Sequence, residues 1–183
     1  MDREILDRFI AEVKGRGPVC DMGTGPGEVA RYLYDHGLEA VTGIDISPEM
    51  VNQARTLSPM IEFREGNMLA LDMPDNQWAG ITAFYSIIHI PRECVVRALS
   101  ELKRVLMPGG LLLLTIHIGD NNVHIEEFFG KNVSIDFLFF TPEEMEGYLR
   151  EAGFERIETT TRQPYPDVEY QGPRAYLFAR KPL

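Results

Sequence analysis

The sequence predicts an α/β fold: a single doubly wound domain with a mostly parallel sheet. Short apolar runs rich in β-branched residues alternate with stretches of helical period, which is typical of strands joined by crossover helices. A glycine-rich turn follows the first run, and the run 111–116 is apolar enough to be buried on both faces of a sheet. No repeat, low-complexity segment or linker divides the 183 residues, so we expect one domain.

The first half of the chain is predicted to alternate helices and strands. Apolar residues at helical spacing indicate a helix over 2–14, which a Gly/Pro-rich segment ends. Strands are predicted over 19–22 and 40–46, with a helix over 28–36 between them that Gly37 closes. Ser47 and Pro48 have the residue types of an N-cap and a first helical position, so a third helix is predicted to run to about residue 57.

The second half continues the alternation. We predict strands over 60–64, 78–85 and 111–118, with a helix over 93–106 before the last of them. Thr141 and Pro142 predict the start of another helix, which ends at Gly153. The runs 154–161 and 174–180 have strand length, and the segment between them holds three prolines. We expect these last two strands to form an antiparallel hairpin.

Charge and cysteine content limit the partners and the compartment. The net charge is −10, with 28 acidic and 18 basic residues and no block of Lys or Arg, so phosphate backbones and anionic membranes would be repelled. Cys20 and Cys94 are too few for a disulfide framework or a zinc site. No apolar run approaches the roughly 20 residues that span a bilayer, and the first residues lack the layout of a signal peptide. We therefore expect a cytoplasmic protein without nucleic-acid or membrane partners.

The segment 21–27, Asp-Met-Gly-Thr-Gly-Pro-Gly, lies between the first predicted strand and the next helix. Glycines there permit a tight turn and let a ligand approach the backbone closely. A nicotinamide dinucleotide fingerprint would need glycine or alanine where this chain has Glu28, and Asp21 and Glu28 would repel a pyrophosphate. The pattern favours a cationic ligand without phosphate; the alternative is a plain turn in which Asp21 caps a backbone amide.

A second acidic residue, Asp45, is predicted at the carboxyl end of the second strand. An acid at that place in such a sheet can accept hydrogen bonds from both hydroxyls of a ribose. Together with the glycine loop, Asp45 predicts a cofactor that contains a ribose.

These motifs resemble those of the class I methyltransferases that depend on S-adenosylmethionine (SAM). The loop resembles the family's first motif, and Gly43-Ile44-Asp45 resembles its second. The segments 64–68, 83–86 and 104–110 resemble its third motif, its fourth motif and the stretch before its fifth strand, the last of which is typical of the small-molecule branch. The resemblance covers nearly the whole chain and implies a Rossmann-like, seven-stranded sheet with the final strand antiparallel.

The resemblance also implies which residues hold SAM and its product, S-adenosylhomocysteine. The methionine moiety would be held by Asp21, Gly23, Thr24, Gly25 and Gly27, and the ribose by Asp45 with Ile46 beside it. Asn67 and Met68 would flank the adenine, and the backbone near Phe84 and Tyr85 would face the methionine ammonium. Position 67 is usually Asp in this family, but Asn67 can still accept a hydrogen bond through its amide oxygen.

The methyl acceptor is predicted to bind near Tyr85, His89, His117 and Arg174. His89 follows the fourth predicted strand and His117 ends the fifth, so either is a candidate base or hydrogen-bond donor; the alternatives are packing and capping roles. A base is required only for an acceptor that is protonated at the working pH. Arg174 either holds a carboxylate substrate or pairs with Asp167 or Glu169.

The stretch 121–140 is predicted to be a loop, and it falls where the resembled family often builds an acceptor pocket or lid. It contains Phe128, Phe129, Phe137, Phe139 and Phe140, which either line that pocket or bury the loop against the sheet. His117, Asp120 and His124 lie close together in sequence, but their spacing matches no metal motif, so we expect no metal.

The sequence therefore predicts one methyltransferase domain, with an N-terminal helix over 1–17, a cofactor-binding core over 18–118 and an acceptor side over 119–183. We expect in-line transfer of a methyl group from SAM to an O, N or S atom of a small-molecule acceptor. The alternatives are a SAM-binding enzyme with another reaction and a non-catalytic SAM-binding partner or activator subunit. A homodimer is compatible with such a compact domain.

Overall fold

The computed structural model describes residues 2–120, 122–128 and 131–183. Its helices are α1 (Arg3–Val13), α2 (Glu28–Asp35), α3 (Pro48–Leu57), α4 (Arg92–Val105) and α5 (Pro142–Glu151), with a 3₁₀ turn over Ile87–His89. Its strands are β1 (Val19–Met22), β2 (Val41–Asp45), β3 (Glu62–Glu65), β4 (Trp78–Phe84), β5 (Leu106–His117), β6 (Val123–Phe128), β7 (Lys131–Phe137), β8 (Glu155–Arg162) and β9 (Arg174–Arg180). None of the described helices is long and apolar enough to cross a membrane.

Seven strands form one sheet in the order β3-β2-β1-β4-β5-β9-β8. The pairings from β3 to β5 are parallel, whereas β9 runs antiparallel to both β5 and β8. The predicted seven-stranded sheet with an antiparallel last strand is confirmed, as is the hairpin of β8 and β9. The strand order reverses between β1 and β4, and in open sheets of this kind ligands bind outside the carboxyl ends of the strands at such a point.

The two faces of the sheet are covered by different helices, because side chains alternate along each strand. On β5, Leu111 and Leu113 belong to the apolar cluster with α1, α2 and α3, whereas Leu112 and Leu114 belong to the cluster with α4 and α5. All four leucines are at most 1% exposed, as expected for a strand buried on both faces. Thr115 and His117 continue the α1 face toward the carboxyl end of β5.

The prediction of a loop over 121–140 is wrong, because most of this stretch forms the antiparallel hairpin of β6 and β7. Charged residues are mixed with apolar ones in β6, and the register shifts between Ile125 and Glu127, so neither an apolar run nor a strict alternation marks the strands. The hairpin is held to the domain after β7, where the amide of Leu138 donates to the carbonyl of Ile88 (2.8 Å). Phe129 lies outside the described residues.

Strand β5 begins at Leu106 rather than at the predicted residue 111. The backbone of the intervening segment already pairs with its neighbours: Trp78 lies opposite Leu106, and the amide of Gly109 donates to the carbonyl of Lys181 (3.1 Å). The Pro-Gly-Gly composition of this segment indicated a turn, and its long-range pairing overrides that local preference.

Candidate functional site

The glycine loop joins β1 to α2 at the point where the strand order reverses. Gly23, Gly25 and Gly27 all have left-handed backbone angles, with φ of +68°, +53° and +88°. A Cβ atom at Gly23 would lie 2.2 Å from the Cβ of Ser86, and one at Gly27 would lie 2.8 Å from the Phe63 ring. A Cβ at Gly25 would meet nothing within 4 Å. The outer two glycines are therefore required by packing, and Gly25 faces open space.

The carboxylate of Asp21 lies beneath this loop and is 2% exposed. It accepts hydrogen bonds from the hydroxyls of Thr24 (2.6 Å) and Thr82 (2.8 Å) and from the amide of Ala30 in the first turn of α2 (3.2 Å). Burial raises the pKa of Asp21 to about 6, and these hydrogen bonds oppose the increase. Asp21 thus caps α2, as the plain-turn alternative expected, and it fixes the loop from below.

Asp45 holds the loop from the end of β2. Its Oδ2 accepts from the amide of Gly25 (2.7 Å), and its Oδ1 accepts from the amide of Ser47 (2.9 Å). A carboxylate offers about four acceptor positions, so each oxygen of this half-buried side chain retains one. The neighbouring Ile46 side chain is 69% exposed. Asp45 therefore combines an anchoring role with acceptor capacity at the sheet edge.

The end of β3 brings Asn67 and Met68 to the same edge. The amide of Gly66 donates to the carbonyl of Asp45 (2.9 Å), which ties the two strand ends together. Asn67 is exposed, and its amide oxygen accepts from the amide of Leu69 (2.9 Å) in a tight turn. Met68 is half-buried against the apolar cluster of α4 and α5.

Tyr85 follows the last residue of β4 and has a strained backbone conformation. Its φ is +49°, a left-handed value that costs a non-glycine residue about 1–2 kcal/mol. The ring stacks on His117 with centroids 4.5 Å apart, and it stands perpendicular to the ring of Phe84 at 6.3 Å. Phe84 itself is half-buried against the α1 side of the sheet. The strain therefore positions the Tyr85 ring over the end of β5.

His117 lies within a group of aromatic rings. Besides Tyr85, its ring contacts Phe139 at 5.7 Å and Tyr170 at 5.3 Å between centroids. Burial, together with the nearby charge of Arg174, lowers the pKa of His117 to about 4. The imidazole is therefore neutral at physiological pH and is a weak proton acceptor.

His89 makes contacts of a different kind. It is exposed in the 3₁₀ turn, and its Nδ1 lies 2.9 Å from the carbonyl oxygen of Asp136 on β7. Because a carbonyl only accepts, Nδ1 carries the proton, and in the neutral ring Nε2 keeps its lone pair. The ring also packs edge-on against Phe137 at 4.7 Å. His89 thus fastens the β6–β7 hairpin to the sheet.

Arg174 is 3% exposed and pairs with Glu169 (3.1 Å), one of its two predicted protein partners. It also donates to the carbonyls of Gly172 and Tyr170. Glu169 is shared with Arg162, which in turn pairs with Asp2 (2.6 Å). Arg162 lowers the pKa of Glu169 to about 2. Two arginines and two carboxylates therefore form one balanced chain from the N-terminus of α1 to β9.

Polar residues in apolar strands were missed by sequence reasoning. Thr82 lies in the buried strand β4, where it donates to Asp21, and Thr115 lies on β5 after four consecutive leucines. A hydroxyl inside such a run is the signal that could have found both. Of the three residues considered as metal ligands, His124 pairs with Asp136 (2.7 Å), and the described residues contain no group of three or more potential metal ligands.

Comparisons with known proteins agree with this architecture. The family model described as a methyltransferase domain matches residues 19–110, half of the chain. A phosphatidylethanolamine N-methyltransferase of Cereibacter sphaeroides is 35% identical over 117 residues, covering 60% of this chain and 56% of that protein. A malonyl-[acyl-carrier protein] O-methyltransferase of Enterobacter lignolyticus is 28% identical over 127 residues, covering 66% and 48%. The chain thus spans about half the length of these curated relatives.

A solved structure of a SAM-dependent methyltransferase from Methanosarcina mazei has a TM-score of 0.81 at 21% identity. The likeness covers 95% of this chain and 97% of that one. At this identity the match concerns the fold, and the sheet with its antiparallel last strand is shared over the full domain.

The buried Asp21 generates a prediction about stability and pH. Its folded-state pKa of about 6 lies above the ordinary 3.8, so the native state binds more protons between these values. The contribution of Asp21 to the free energy of unfolding is present in full below pH 3.8 and is lost as the pH rises through about 6. Its size is at most about 3 kcal/mol.

Urea unfolding of the wild type and Asp21→Asn, in small steps from about pH 4 to pH 7, measures this contribution. The difference between their free energies of unfolding should change with pH across the window. Asp35→Asn, which alters an exposed carboxyl at the end of α2, is the control for the loss of a surface carboxylate. Parallel profiles for the wild type and Asp21→Asn would contradict the prediction.

Proposed function

The chain belongs to the methyltransferase-domain family of class I, SAM-dependent enzymes, and we propose that it transfers a methyl group from SAM to an O, N or S atom of a small molecule. One observation carries the proposal: the hydrogen bond from the Gly25 amide to Asp45 holds the glycine loop beside open space, where the strand order reverses. A glycine loop, an acid and an open crevice are what a nucleoside cofactor needs at this place.

The residues at this edge fit SAM in shape and charge. Open space at Gly25 supports close approach of the methionine moiety to the backbone of 23–27. The unused acceptor positions of Asp45 suit the two ribose hydroxyls, and the exposed Ile46 offers an apolar surface to the adenine. Asn67 keeps one acceptor position and its amide donors for the adenine edge. The acidic side chains favour a cation over a pyrophosphate.

When bound, SAM supplies an electrophilic methyl group on a sulfonium, and transfer leaves the electron pair of the broken carbon–sulfur bond on sulfur as S-adenosylhomocysteine. The chain's own contribution is alignment and the exclusion of water, which can supply most of the rate in such displacements. Tyr85, Phe139 and Tyr170 would form the apolar wall beside His117. Of the two histidines, His89 is favoured as a base for a protonated acceptor, because Nε2 keeps its lone pair and the pKa of His117 is low.

The acceptor is proposed to be a small molecule, in a cytoplasmic protein that does not bind nucleic acid or membranes. The net charge of −10 supports this, because it disfavours polyanionic partners. The relatives named above act, by their names, on a phosphatidylethanolamine and on a malonyl group of an acyl carrier protein, so the family position alone does not choose the acceptor atom. A homodimer stays part of the proposal.

Calorimetric titration with SAM, S-adenosylhomocysteine and NAD tests the cofactor. We expect the first two to bind and NAD not to bind, because acidic groups face the cofactor loop. Transfer of labelled methyl groups from SAM to a panel of small molecules then tests the reaction. Binding of NAD alone would exclude the methyltransferase, whereas SAM binding without transfer to any acceptor would favour an activator subunit or another reaction.

Gly25→Val should abolish binding of S-adenosylhomocysteine while the protein stays folded, because the side chain would fill the open space beside the loop. Gly15→Val is a matched control: Gly15 has φ of +76°, and a Cβ there also meets nothing within 4 Å, but it lies between α1 and β1. Both variants should lose about 1–2 kcal/mol of stability from the left-handed backbone. Retained binding in folded Gly25→Val would show that the loop is misassigned, and an equal loss of binding in both variants would attribute the loss to destabilisation.

Asp45→Ala should weaken S-adenosylhomocysteine binding by about 1–3 kcal/mol through lost hydrogen bonds to the ribose. Calorimetry with the 2′-deoxyribose analogue separates this loss from a displaced loop. If Asp45 binds the ribose, the substitution should cost less affinity for the deoxy analogue than for the parent compound. Unchanged affinity for the parent compound would remove Asp45 from the cofactor site.

A further inference from the structure

Four buried polar side-chain atoms among the described residues have no hydrogen-bond partner: Tyr85 Oη, Thr115 Oγ1, His117 Nδ1 and Arg174 Nε. Buried polar atoms are almost always satisfied, so each exception needs an explanation. Replacing such a group by an apolar one would even favour folding. Four exceptions in one small domain therefore indicate a role outside folding, if they lie together.

The four residues do lie together, at the carboxyl end of β5 where it pairs with β9. Thr115 and His117 alternate on β5, and His117 lies opposite Arg174 on β9. Alternate residues share a face, so all three project to the α1 side of the sheet. The Tyr85 ring stacks on His117 and lies 5.9 Å from the Arg174 guanidinium carbon. The cluster adjoins the end of β4, one strand from the glycine loop.

The cluster is rich in donors. The Nε–H of Arg174 can only donate, and both hydroxyls can donate. Burial raises the pKa of Tyr85 and outweighs the opposing effect of the adjacent Arg174 and Tyr176 side chains, so its hydroxyl keeps its proton. The neutral His117 donates from Nδ1 in one of its tautomers. A group that satisfies these atoms must accept several hydrogen bonds. An ammonium offers only donors and leaves Arg174 Nε unsatisfied, so the cluster favours oxygen over a protonated amine.

The surroundings set the shape and the charge of the ligand. Four aromatic rings lie beside the cluster, and the centroids of neighbouring rings are less than 6 Å apart: those of Tyr85, His117, Phe139 and Tyr170. Such a group of rings suits a planar apolar ligand. Arg174 is paired on its other side with Glu169. An anion that binds at Nε must therefore compete with this carboxylate for the same guanidinium charge.

We infer that Tyr85, Thr115, His117 and Arg174 form an acceptor subsite that recognises an oxygen anion, such as a carboxylate or an acidic enol, on a planar apolar molecule. Glu169 tunes the subsite by offsetting the charge of Arg174. This inference rests on the proposed function, because it takes the acceptor to bind one strand away from the cofactor loop.

Ligand-observed NMR and calorimetry with three probes of one shape test the inference: benzoate, benzamide and benzylammonium, each with saturating S-adenosylhomocysteine. Benzoate should bind at least about tenfold more tightly than benzamide, and benzylammonium should be the weakest. Equal affinities, or preference for benzylammonium, would overturn the inference.

Three variants assign the binding to this cluster. Arg174→Gln should remove the preference for benzoate over benzamide, and Arg31→Gln, at an exposed ion pair of α2, should leave it unchanged. Thr115→Val should weaken benzoate several-fold while the urea midpoint stays equal or rises, since no internal hydrogen bond is lost. A lower midpoint with unchanged benzoate affinity would assign Thr115 to folding alone and contradict its place in the subsite.

Glu169→Gln separates the two roles of Glu169 most clearly. If its ion pair with Arg174 were only structural, the substitution would weaken benzoate binding rather than tighten it. Removing the competing charge should tighten benzoate binding several-fold and leave benzamide unaffected. Weaker benzoate binding would overturn the role given to Glu169. The binding of S-adenosylhomocysteine itself is measured separately in every variant: its absence in the wild type would refute the proposed function, whereas its presence without benzoate selectivity would refute only this inference.

Discussion

The buried carboxyl group of Asp21 is the constraint on which the site depends. At 2% exposure it must find donors inside the protein, and it finds them in the loop, in α2 and in β4. These bonds tie together the two strands between which the sheet order reverses. The loop is then turned so that Gly25 faces outward and its amide meets Asp45. The open space beside Gly25 follows from satisfying one buried acid.

The features that could be predicted from the sequence are those that a short stretch of residues specifies. The elements, the glycine loop and Asp45 are encoded in short runs of consecutive residues, so the sheet and the proposed cofactor side of the site could be predicted from the sequence. The proposed acceptor side depends on contacts between distant segments, such as Asp2 with Arg162 and Tyr85 with His117. Such pairs leave no periodic pattern. The β6–β7 hairpin was not predicted for a related reason: charged and apolar residues are mixed in β6 without the alternation that marks a strand.

The two halves of the site differ in electrostatic character. Acidic side chains, Asp21 and Asp45, dominate beside the loop, whereas Arg162 and Arg174 lie under the acceptor side. A positively charged donor would meet complementary charge beside the loop, whereas the two arginines are already offset by Asp2 and Glu169. In a chain with a net charge of −10, the buried Arg174 and the half-buried Arg162 with their two carboxylate partners keep this side close to neutral.

The left-handed backbone of Tyr85 has a consequence for protein engineering. Glycine and asparagine tolerate φ of +49° far better than other residues. A saturation library at position 85 would therefore rank substitutions first by backbone tolerance and only then by ring chemistry. Glycine would emerge as a well-expressed variant and alanine as a poor one, although both remove the same ring. Directed evolution of the proposed acceptor specificity would do better to vary Phe139 and Tyr170. Neither residue has a positive φ, and Tyr85 would be left unchanged.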